Sequence, residues 1–329
     1  SFSVAAAAGA VAAVACFAAA ERVPFNALEI AWNLAQLLGL GAIYGLLFIP
    51  FFCAATALCV AYAAFGADVA RLYGADVVGA GLGSLGLLAV LSVLHPADAL
   101  RVILGLGFAA AALAAWPAGR RRAAAFALAA LAGPWLLPAP ALELVPSDYK
   151  DLRQALRVKD ARIAAQRFSP LGVVTVVDSP LAPLHHAPGL SLNAAAGPPP
   201  QLGLFVDGQA AGALTRYDGD RAPLGYLADT TAALPYRLLD QPRVLVLGAG
   251  AGGDVLQALA HGARRIDAVE LDAQVVALVQ QDLAAFSGRP YAMPGVRLHV
   301  AEARGFVAAS REDYDLIQVA LLDAFGSSA

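Results

Sequence analysis

The run Arg243-Val-Leu-Val-Leu-Gly248-Ala-Gly250-Ala-Gly252-Gly253-Asp254 decides the fold of the C-terminal half of this chain. A fully apolar segment precedes its glycines, and an amphipathic helical pattern follows them. Glu270 stands about 20 residues beyond the middle glycine. In parallel-sheet domains such a loop lets the backbone approach a ligand, and an acid at the next strand end binds ribose hydroxyls. The pattern therefore predicts a nucleoside-binding site.

Strand and helix patterns alternate from this loop to the end of the chain. Helices are predicted to begin near Gly252, after Asp272 and at Glu302. The strands that precede and separate them are predicted over 244–247, 265–271, 296–301 and 314–321. This βαβ series predicts a parallel sheet with right-handed crossovers, which is a Rossmann-like α/β fold.

The site residues are placed by this pattern at the carboxyl edge of the sheet, where open α/β sheets bind ligands. Glu270 is expected to hold the ribose and Glu302 an adenine edge, and Asp323 follows the fourth strand at the same edge. Acids that only cap helices or start turns are the alternative. The loop residues expected to contact the ligand are Gly248, Gly250, Gly252, Gly253 and Asp254.

Two classes of ligand fit this geometry, a dinucleotide or S-adenosylmethionine and its relatives. A hydride-transfer enzyme also needs a substrate domain with an acid/base pair after the sheet, and the sequence ends at Ala329, just past the fourth strand. A doubly wound sheet usually has more strands. We therefore expect an incomplete sheet here and a native protein that continues beyond Ala329.

The part of the chain before Pro140 has the character of a membrane domain. The 329 residues are 59% hydrophobic and only 14% charged, with a mean hydropathy of +0.65, and nearly all the apolar excess lies in this part. A membrane-spanning helix needs about 20 apolar residues. Pro50 interrupts the longest run and predicts a kink or two short helices. Candidate spans are about 2–20, 34–66, 75–94, 97–116 and 123–137.

Four regions are predicted in all. Residues 1–138 form a multi-span helical domain, and 139–168 form an amphipathic helix at the membrane surface or an ordinary solvated helix. Residues 169–240 form a small β-rich subdomain with strands over 171–178, 202–207 and around 212–217. Residues 241–329 form the truncated nucleoside-binding domain.

The expected partners follow from charge and from small residues. The net charge of −3 argues against nucleic acid. No metal site is expected, because neither the three cysteines nor His185-His186 have metal-ligand spacing. The bilayer is the expected partner. The pairs Gly41 and Gly45, and Gly79 and Gly83, allow close helix contacts within the chain, with a membrane protein or in a homodimer.

The cluster Arg120-Arg121-Arg122 is expected on the cytoplasmic side. A full span over 123–137 would then place the soluble half outside, whereas an adenosyl cofactor belongs in the cytoplasm. We predict a bacterial inner-membrane protein with a cytoplasmic soluble half.

From Leu202 to Phe325 the soluble half resembles the spermidine synthase family of aminopropyltransferases, which have a methyltransferase-type Rossmann fold. Five segments are similar to that family's LYLDG, RVLIIGGGDGG, VEID, GDAR-x-F and YDVIIVDSSDP motifs. The membrane half, with Pro50-Phe-Phe and Leu72-Tyr-x-x-Asp-x-x-Gly-Ala, is similar to a multi-span, membrane-fused bacterial branch. The five segments are Leu204-Phe-Val-Asp207-Gly208, the glycine loop, Val269-Glu270-Leu271-Asp272, Ala301-Glu302-Ala303-Arg304-Gly-Phe306 and Tyr314-Asp315-Leu-Ile-Gln-Val-Ala320-Leu-Leu-Asp323.

The resemblance implies S-adenosylmethionine or its decarboxylated form as the donor substrate, with no metal. It implies Asp323 as the catalytic residue, which orients or deprotonates the acceptor, and Asp207 and Gln318 as substrate residues. Ala320 replaces the family's first acid of this segment, which helps to deprotonate the attacking amine. Ordinary aminopropyl transfer to putrescine is therefore not the expected reaction.

Three functions remain open from the sequence. The first is a membrane-anchored transferase with an unknown acceptor. The second is an inactive membrane subunit or ligand sensor, with a role in assembly, scaffolding or transport, that keeps the nucleoside-binding fold. The third, ranked last, is an NAD-linked oxidoreductase.

Overall fold

The computed structural model describes residues 1–137 and 146–320. Within these ranges the chain forms two compact units, Ser1–Ser147 and Asp148–Ala329. The first is helical, and the second contains two β-sheets. The predicted combination of a helical domain with a Rossmann-like parallel sheet is confirmed.

The first unit contains five long helices. They are α1 (Phe2–Ala20), α2 (Ala35–Ala64), α3 (Val69–Val93), α4 (Pro96–Ala115) and α5 (Arg120–Leu136). Four helical segments in the described residues are long and apolar enough to cross a membrane: Phe2–Ala20, Ala35–Ala64, Gly66–Val93 and Pro96–Ala118. The fifth helix has only 17 residues and does not belong to this set.

Pro50 does not divide α2, which runs through it as one helix of 30 residues. Of the two predicted alternatives, a division into two short helices is therefore wrong, and a kink at Pro50 stays a prediction. A helix can continue through proline when the freed backbone groups find other partners, and long apolar helices tolerate this in membranes. Large apolar side chains of α2 and α3 are exposed, among them Phe48, Phe51, Leu82 and Leu85. Lipid contact would remove these surfaces from water.

Small residues set the packing of the first unit. Ala10 of α1 is buried with Leu104 of α4 in one cluster. Gly107 of α4 faces Ala10 so closely that an added Cβ would lie 2.4 Å from the Ala10 Cβ. Glycine at position 107 therefore permits the close approach of α1 and α4.

The second unit begins with α6 (Asp151–Leu156), followed by an antiparallel sheet. Its strands pair in the order β1-β2-β3-β4. They are β1 (Arg162–Ser169), β2 (Gly172–Asp178), β3 (Gln201–Val206) and β4 (Gln209–Thr215). The predicted small β subdomain is confirmed.

The predicted amphipathic helix over 139–168 is wrong for most of its described part. Only six residues are helical, and Asp160 has a positive φ of 64°, which turns the chain away from a helix. Arg162–Ser169 then pairs with Gly172–Asp178 as an antiparallel hairpin. Pairing with β2 outweighed the local helical pattern, because propensity is a weak preference that tertiary contacts override. Residues 139–145 of the prediction lie outside the described residues.

The connection to the parallel sheet contains a 3₁₀ segment, Ala222–Asp229, and α7 (Leu234–Leu238). The sheet itself has the order β7-β6-β5-β8, and its three strand pairs are parallel. The strands are β5 (Arg243–Leu247), β6 (Arg265–Glu270), β7 (Val296–Val300) and β8 (Leu316–Val319). The helices are α8 (Gly253–Ala260), α9 (Ala273–Ala277), α10 (Ala284–Ser287) and α11 (Ala303–Ala309), with a π-helical turn at Leu278–Asp282.

One core joins the two sheets of the second unit. Val174, Leu204 and Leu214 from the antiparallel sheet cluster with Val246 and Ile266 from the parallel sheet, and all five are fully buried. Polar contacts add to this core. Arg167 of β1 donates from Nε and Nη2 to the two carboxylate oxygens of Asp282, at 2.6 and 2.8 Å. The antiparallel sheet is thus fixed over the carboxyl edge of the parallel sheet.

We expect Gly107→Ala to lower the melting temperature of the full chain in detergent, because the new methyl group overlaps Ala10. Such overpacking costs about 1–3 kcal/mol, which exceeds the gain in helix propensity of about 1 kcal/mol. Gly79→Ala is the matched control, because an added Cβ there meets no described atom within 4 Å. Equal melting temperatures of the two variants, measured by circular dichroism, would contradict this packing.

Candidate nucleoside-binding site

The glycine loop connects β5 to α8 with left-handed backbone at three positions. Gly248, Gly250 and Gly252 have φ values of 77°, 54° and 91°. At Gly252 an added Cβ would also lie 2.8 Å from Cγ of Pro290. Only glycine meets both the conformational and the steric requirement there.

Glu270, the last residue of β6, binds the loop directly. Its Oε2 accepts a hydrogen bond from the Gly250 N–H at 2.7 Å, and its Oε1 accepts one from the Asp272 N–H at 2.8 Å. The side chain is almost fully buried. Each oxygen keeps a second lone pair, so the carboxylate can still accept from a diol held against the loop.

Tyr291 also supports the loop, although no motif in the sequence singles it out. Its hydroxyl donates to the Gly250 carbonyl oxygen at 2.5 Å, and its side chain is buried. Burial raises the pKa of Tyr291 well above its usual value, and the negative charges of Glu270 and Asp254 raise it further. The hydroxyl therefore stays protonated and keeps donating to the loop.

The loop opens into a cavity of about 810 Å³. The carboxyl edge of the parallel sheet forms one wall. The antiparallel sheet and the 3₁₀ segment form the other, which includes Leu204, Tyr226 and Leu227. His186 belongs to this second wall. Its backbone N–H donates to Oε1 of Gln201, and Nε2 of Gln201 donates to its backbone carbonyl oxygen.

Charged side chains in the described lining are mostly acidic. They are Asp254, Glu270, Asp272 and Glu302, accompanied by His186. The described lining contains no lysine or arginine. Such a cavity favours a cationic ligand over an anionic one. Within residues 1–137 and 146–320, no group of three or more His, Cys, Asp or Glu side chains could hold a metal ion.

Asp254 belongs to a polar network below the loop. Gln318 of β8 donates from Nε2 to Oδ1 of Asp254, and its Oε1 accepts from the Tyr236 hydroxyl at 2.7 Å. Tyr236 stacks on His261, with ring centroids 4.9 Å apart. Burial raises the pKa of Asp254, which is partly offset by the Gln318 hydrogen bond and by His186.

Most of the predicted contact residues line this one cavity. Gly248, Gly250, Gly253, Asp254 and Glu270 do so, as do Glu302, Gln318 and Ala320. Gly252 is outside the lining and packs on Pro290 instead. The predicted catalytic residue, Asp323, lies outside the described residues.

The carboxylates of Glu302 and Asp207, two of the predicted site residues, accept hydrogen bonds from backbone N–H groups. Glu302 caps α11, because its carboxylate accepts from the Arg304 and Gly305 N–H groups at 2.9 and 2.6 Å, and these bonds lower its pKa. Its adenine role stays a prediction. Asp207, in the turn between β3 and β4, accepts from the Val173 N–H at 2.8 Å and is outside the described lining. Its substrate role also stays a prediction.

We expect Asp254→Asn to raise the melting temperature at neutral pH. Because the folded-state pKa of Asp254 is raised, its contribution to stability is fully present below the unfolded pKa and is lost as pH rises through the folded pKa. Asparagine does not ionise, so the variant does not lose this stability as the pH rises. The gain should therefore shrink toward zero as the pH is lowered to about 4. His186, Tyr236 and Tyr291 are the titratable groups around Asp254 and are present in both proteins.

Asp282→Asn is the control with the opposite sign. The hydrogen bond from Arg167 lowers the pKa of Asp282, so its contribution is present at neutral pH and lost on acidification. Asp282→Asn should be less stable than the parent at neutral pH. Thermal unfolding curves that move in the same direction for both variants would contradict these environments.

The family-model comparison matches residues of the second unit. Residues 231–329 match the family model described as the spermine/spermidine synthase domain. A polyamine aminopropyltransferase of Korarchaeum cryptofilum (strain OPF8) is 30% identical over 105 residues, which is 31% of this chain and 33% of the relative. The chain thus spans 33% of the length of the curated relative that it matches.

Two solved structures are similar at low identity. One is a spermidine synthase in complex with the transition-state analogue AdoDATO, and the other is the spermidine synthase from Thermotoga maritima. Each has 18% identity and a TM-score of 0.33, over 48% of this chain and 47% of the other. The likeness of the C-terminal segment to the spermine/spermidine synthase domain rests on the family-model match to residues 231–329.

Proposed function

We propose that this chain is a membrane-anchored transferase that binds decarboxylated S-adenosylmethionine or S-adenosylmethionine as its donor substrate. The observation that carries the proposal is the hydrogen bond from the Gly250 N–H to Glu270 at 2.7 Å, inside the cavity at the carboxyl edge of the sheet. It brings together a backbone that a ligand can approach and a carboxylate that accepts ribose hydroxyls.

Charge supports a sulfonium ligand over a dinucleotide. A dinucleotide brings a pyrophosphate with two negative charges, and the described lining offers it four acids and no lysine or arginine. A sulfonium is positive and gains from the same surroundings. The α-carboxylate of S-adenosylmethionine also lacks a cationic side chain in the described lining. We therefore favour the decarboxylated form as the donor.

The proposed reaction is a direct displacement. The nitrogen of an acceptor amine attacks the carbon next to the sulfonium, the new C–N bond forms, and the C–S bond breaks. The electron pair of that bond stays on sulfur, which leaves as a neutral thioether, and the nitrogen loses one proton. Catalysis would come mainly from alignment of the two reactants by the loop and Glu270. Asp323 is the proposed residue to orient or deprotonate the acceptor.

The acceptor is proposed to differ from putrescine. Ala320 lines the cavity at the position where the resemblance implies an acid that helps to deprotonate a diamine. A methyl group cannot bind an ammonium or take its proton. The four long apolar helices of the first unit support an acceptor delivered at a membrane. We place the protein in the bacterial inner membrane with the soluble unit in the cytoplasm, where the donor is made.

Ala320 also favours a second function. A protein that binds the nucleoside without turnover would serve as a ligand sensor or as an inactive subunit in a membrane assembly. Contacts with a membrane protein or a second copy would then use the small-residue face of α3, where Gly79 and Gly83 have no described atom near an added Cβ.

Isothermal titration of the full chain in detergent tests the donor. We expect decarboxylated S-adenosylmethionine to bind more tightly than S-adenosylmethionine, and NAD to bind weakest. Preferred binding of NAD would contradict the proposal. Donor binding without a mass-detected product across putrescine and longer amines would favour the sensor.

Glu270→Gln should weaken donor binding by about tenfold or more, because charge-assisted hydrogen bonds contribute about 1.5–3 kcal/mol each. The amide N–H₂ of glutamine would also face the Gly250 N–H or the Asp272 N–H, so one of these two hydrogen bonds to the side chain would be lost. Glu312→Gln is the control, since Glu312 is outside the cavity lining and pairs with Arg243 and Arg265. Unchanged donor affinity in Glu270→Gln would remove Glu270 from the site.

A further inference from the structure

Asp254 differs from the other acids of the cavity in the groups that bind its carboxylate. It lines the cavity and is partly buried, on the first turn of α8. Glu270 is bound by two backbone N–H groups, and Glu302 is bound by two others. Asp254 is bound by a neutral side-chain amide alone among the described residues. Asp272, the fourth acid of the lining, accepts from the Gln274 N–H. Among these four acids, Asp254 is the one whose carboxylate accepts no backbone N–H within the described residues, and His186 offsets the effect of its burial only in part.

The network around Asp254 fixes the carboxylate without neutralising it. The Tyr236 hydroxyl donates to Gln318 Oε1, which orients the Gln318 amide so that its N–H group points at Asp254. Burial keeps Tyr236 protonated, because it raises the pKa of that hydroxyl, and the nearby charge of Asp254 raises it further. Three elements, α7, α8 and β8, thus hold one oxygen of Asp254 in place.

The second oxygen remains available to a ligand. The side-chain hydrogen bond of Asp254 in the described residues engages Oδ1, so Oδ2 keeps its lone pairs. The lining of the same cavity also includes the amide and hydroxyl side chains of Gln201, Tyr226, Thr230 and Gln257. A carboxylate in such surroundings gains most from a cation that also donates hydrogen bonds.

From these contacts we propose that Asp254 binds a primary alkylammonium group of a substrate. The inference rests on the proposed function, because the cavity must also hold the nucleoside. Two sources carry this chemistry, the aminopropyl tail of the donor and the amine of the acceptor. Gln318 and Tyr236 act as positioning residues that hold the carboxylate toward that group.

Three titrations on the full chain in detergent separate the sources. The probes are 5′-methylthioadenosine, which lacks the tail, decarboxylated S-adenosylmethionine, which carries it, and n-butylamine added to protein saturated with 5′-methylthioadenosine. Asp254→Asn should leave 5′-methylthioadenosine affinity within about twofold of the parent. It should weaken at least one ammonium probe by about tenfold or more.

Loss of donor affinity alone assigns Asp254 to the cationic part of the donor, its sulfonium and aminopropyl tail, and loss of n-butylamine affinity alone assigns it to the acceptor. Tyr236→Phe should weaken the same probe less than Asp254→Asn does, because it removes only the orienting hydroxyl. Asp229→Asn is the matched control, since it removes an exposed carboxylate outside the cavity lining. It should leave all three affinities unchanged.

The two possible failures differ. If the parent binds no 5′-methylthioadenosine, the nucleoside site and the proposed function are wrong. If it binds 5′-methylthioadenosine but Asp254→Asn binds both ammonium probes as the parent does, the role of Asp254 is overturned and the nucleoside site stands. Absence of ammonium binding in the parent also overturns the role of Asp254.

Discussion

The contact between Glu270 and the Gly250 N–H is the constraint on which the site depends. It joins the end of β6 to the loop after β5, two segments that are adjacent in the parallel sheet but 20 residues apart in the chain. The loop can make this contact because its glycines adopt left-handed backbone. Tyr291 holds the carbonyl of the same residue, so Gly250 is fixed at both its donor and its acceptor.

The antiparallel sheet converts this open sheet edge into a cavity. Its buried residues share one core with the parallel strands, and the pair formed by Arg167 and Asp282 fixes its first strand to the π-helical turn. The wall that it helps to form has amide, hydroxyl and apolar groups together with His186, whereas the sheet edge provides the acids. A ligand in the cavity therefore meets negative charge on one side and amide or apolar groups on the other. That asymmetry suits a molecule with a positive centre and an uncharged body.

The helical unit is packed differently from the two sheets. Its large apolar side chains are exposed, and its close contacts depend on small residues such as Gly107 and Ala10. Without a hydrophobic driving force between helices in lipid, close backbone approach becomes the main source of packing energy. The same chain thus contains one unit that buries its apolar residues in a core and one that leaves many of them exposed, on helices long and apolar enough to cross a membrane.

The sequence by itself determined the element types, the order of the parallel strands along the chain, and the placement of Gly248, Gly250 and Glu270 in one site. These features are encoded locally, by apolar periodicity and by glycines at a strand end. It also predicted five apolar spans from length and composition, and four of them correspond to described helices long and apolar enough to cross a membrane. It was wrong where a local helical pattern competed with strand pairing, at Arg162–Ser169.

Only the tertiary structure decided which groups support and complete the site. Tyr291 lies 41 residues from Gly250, and Tyr236 lies 82 residues from Gln318. No local pattern links such pairs, since their contact exists only after both sheets have packed. The same packing determined that Asp254 is left with a neutral side-chain partner. The capping of α11 by Glu302 is a local contact, which the sequence had already offered as the alternative. Whether a carboxylate has a charged or a neutral partner depends on which residues pack around it in the folded chain, and the sequence alone does not specify these neighbours.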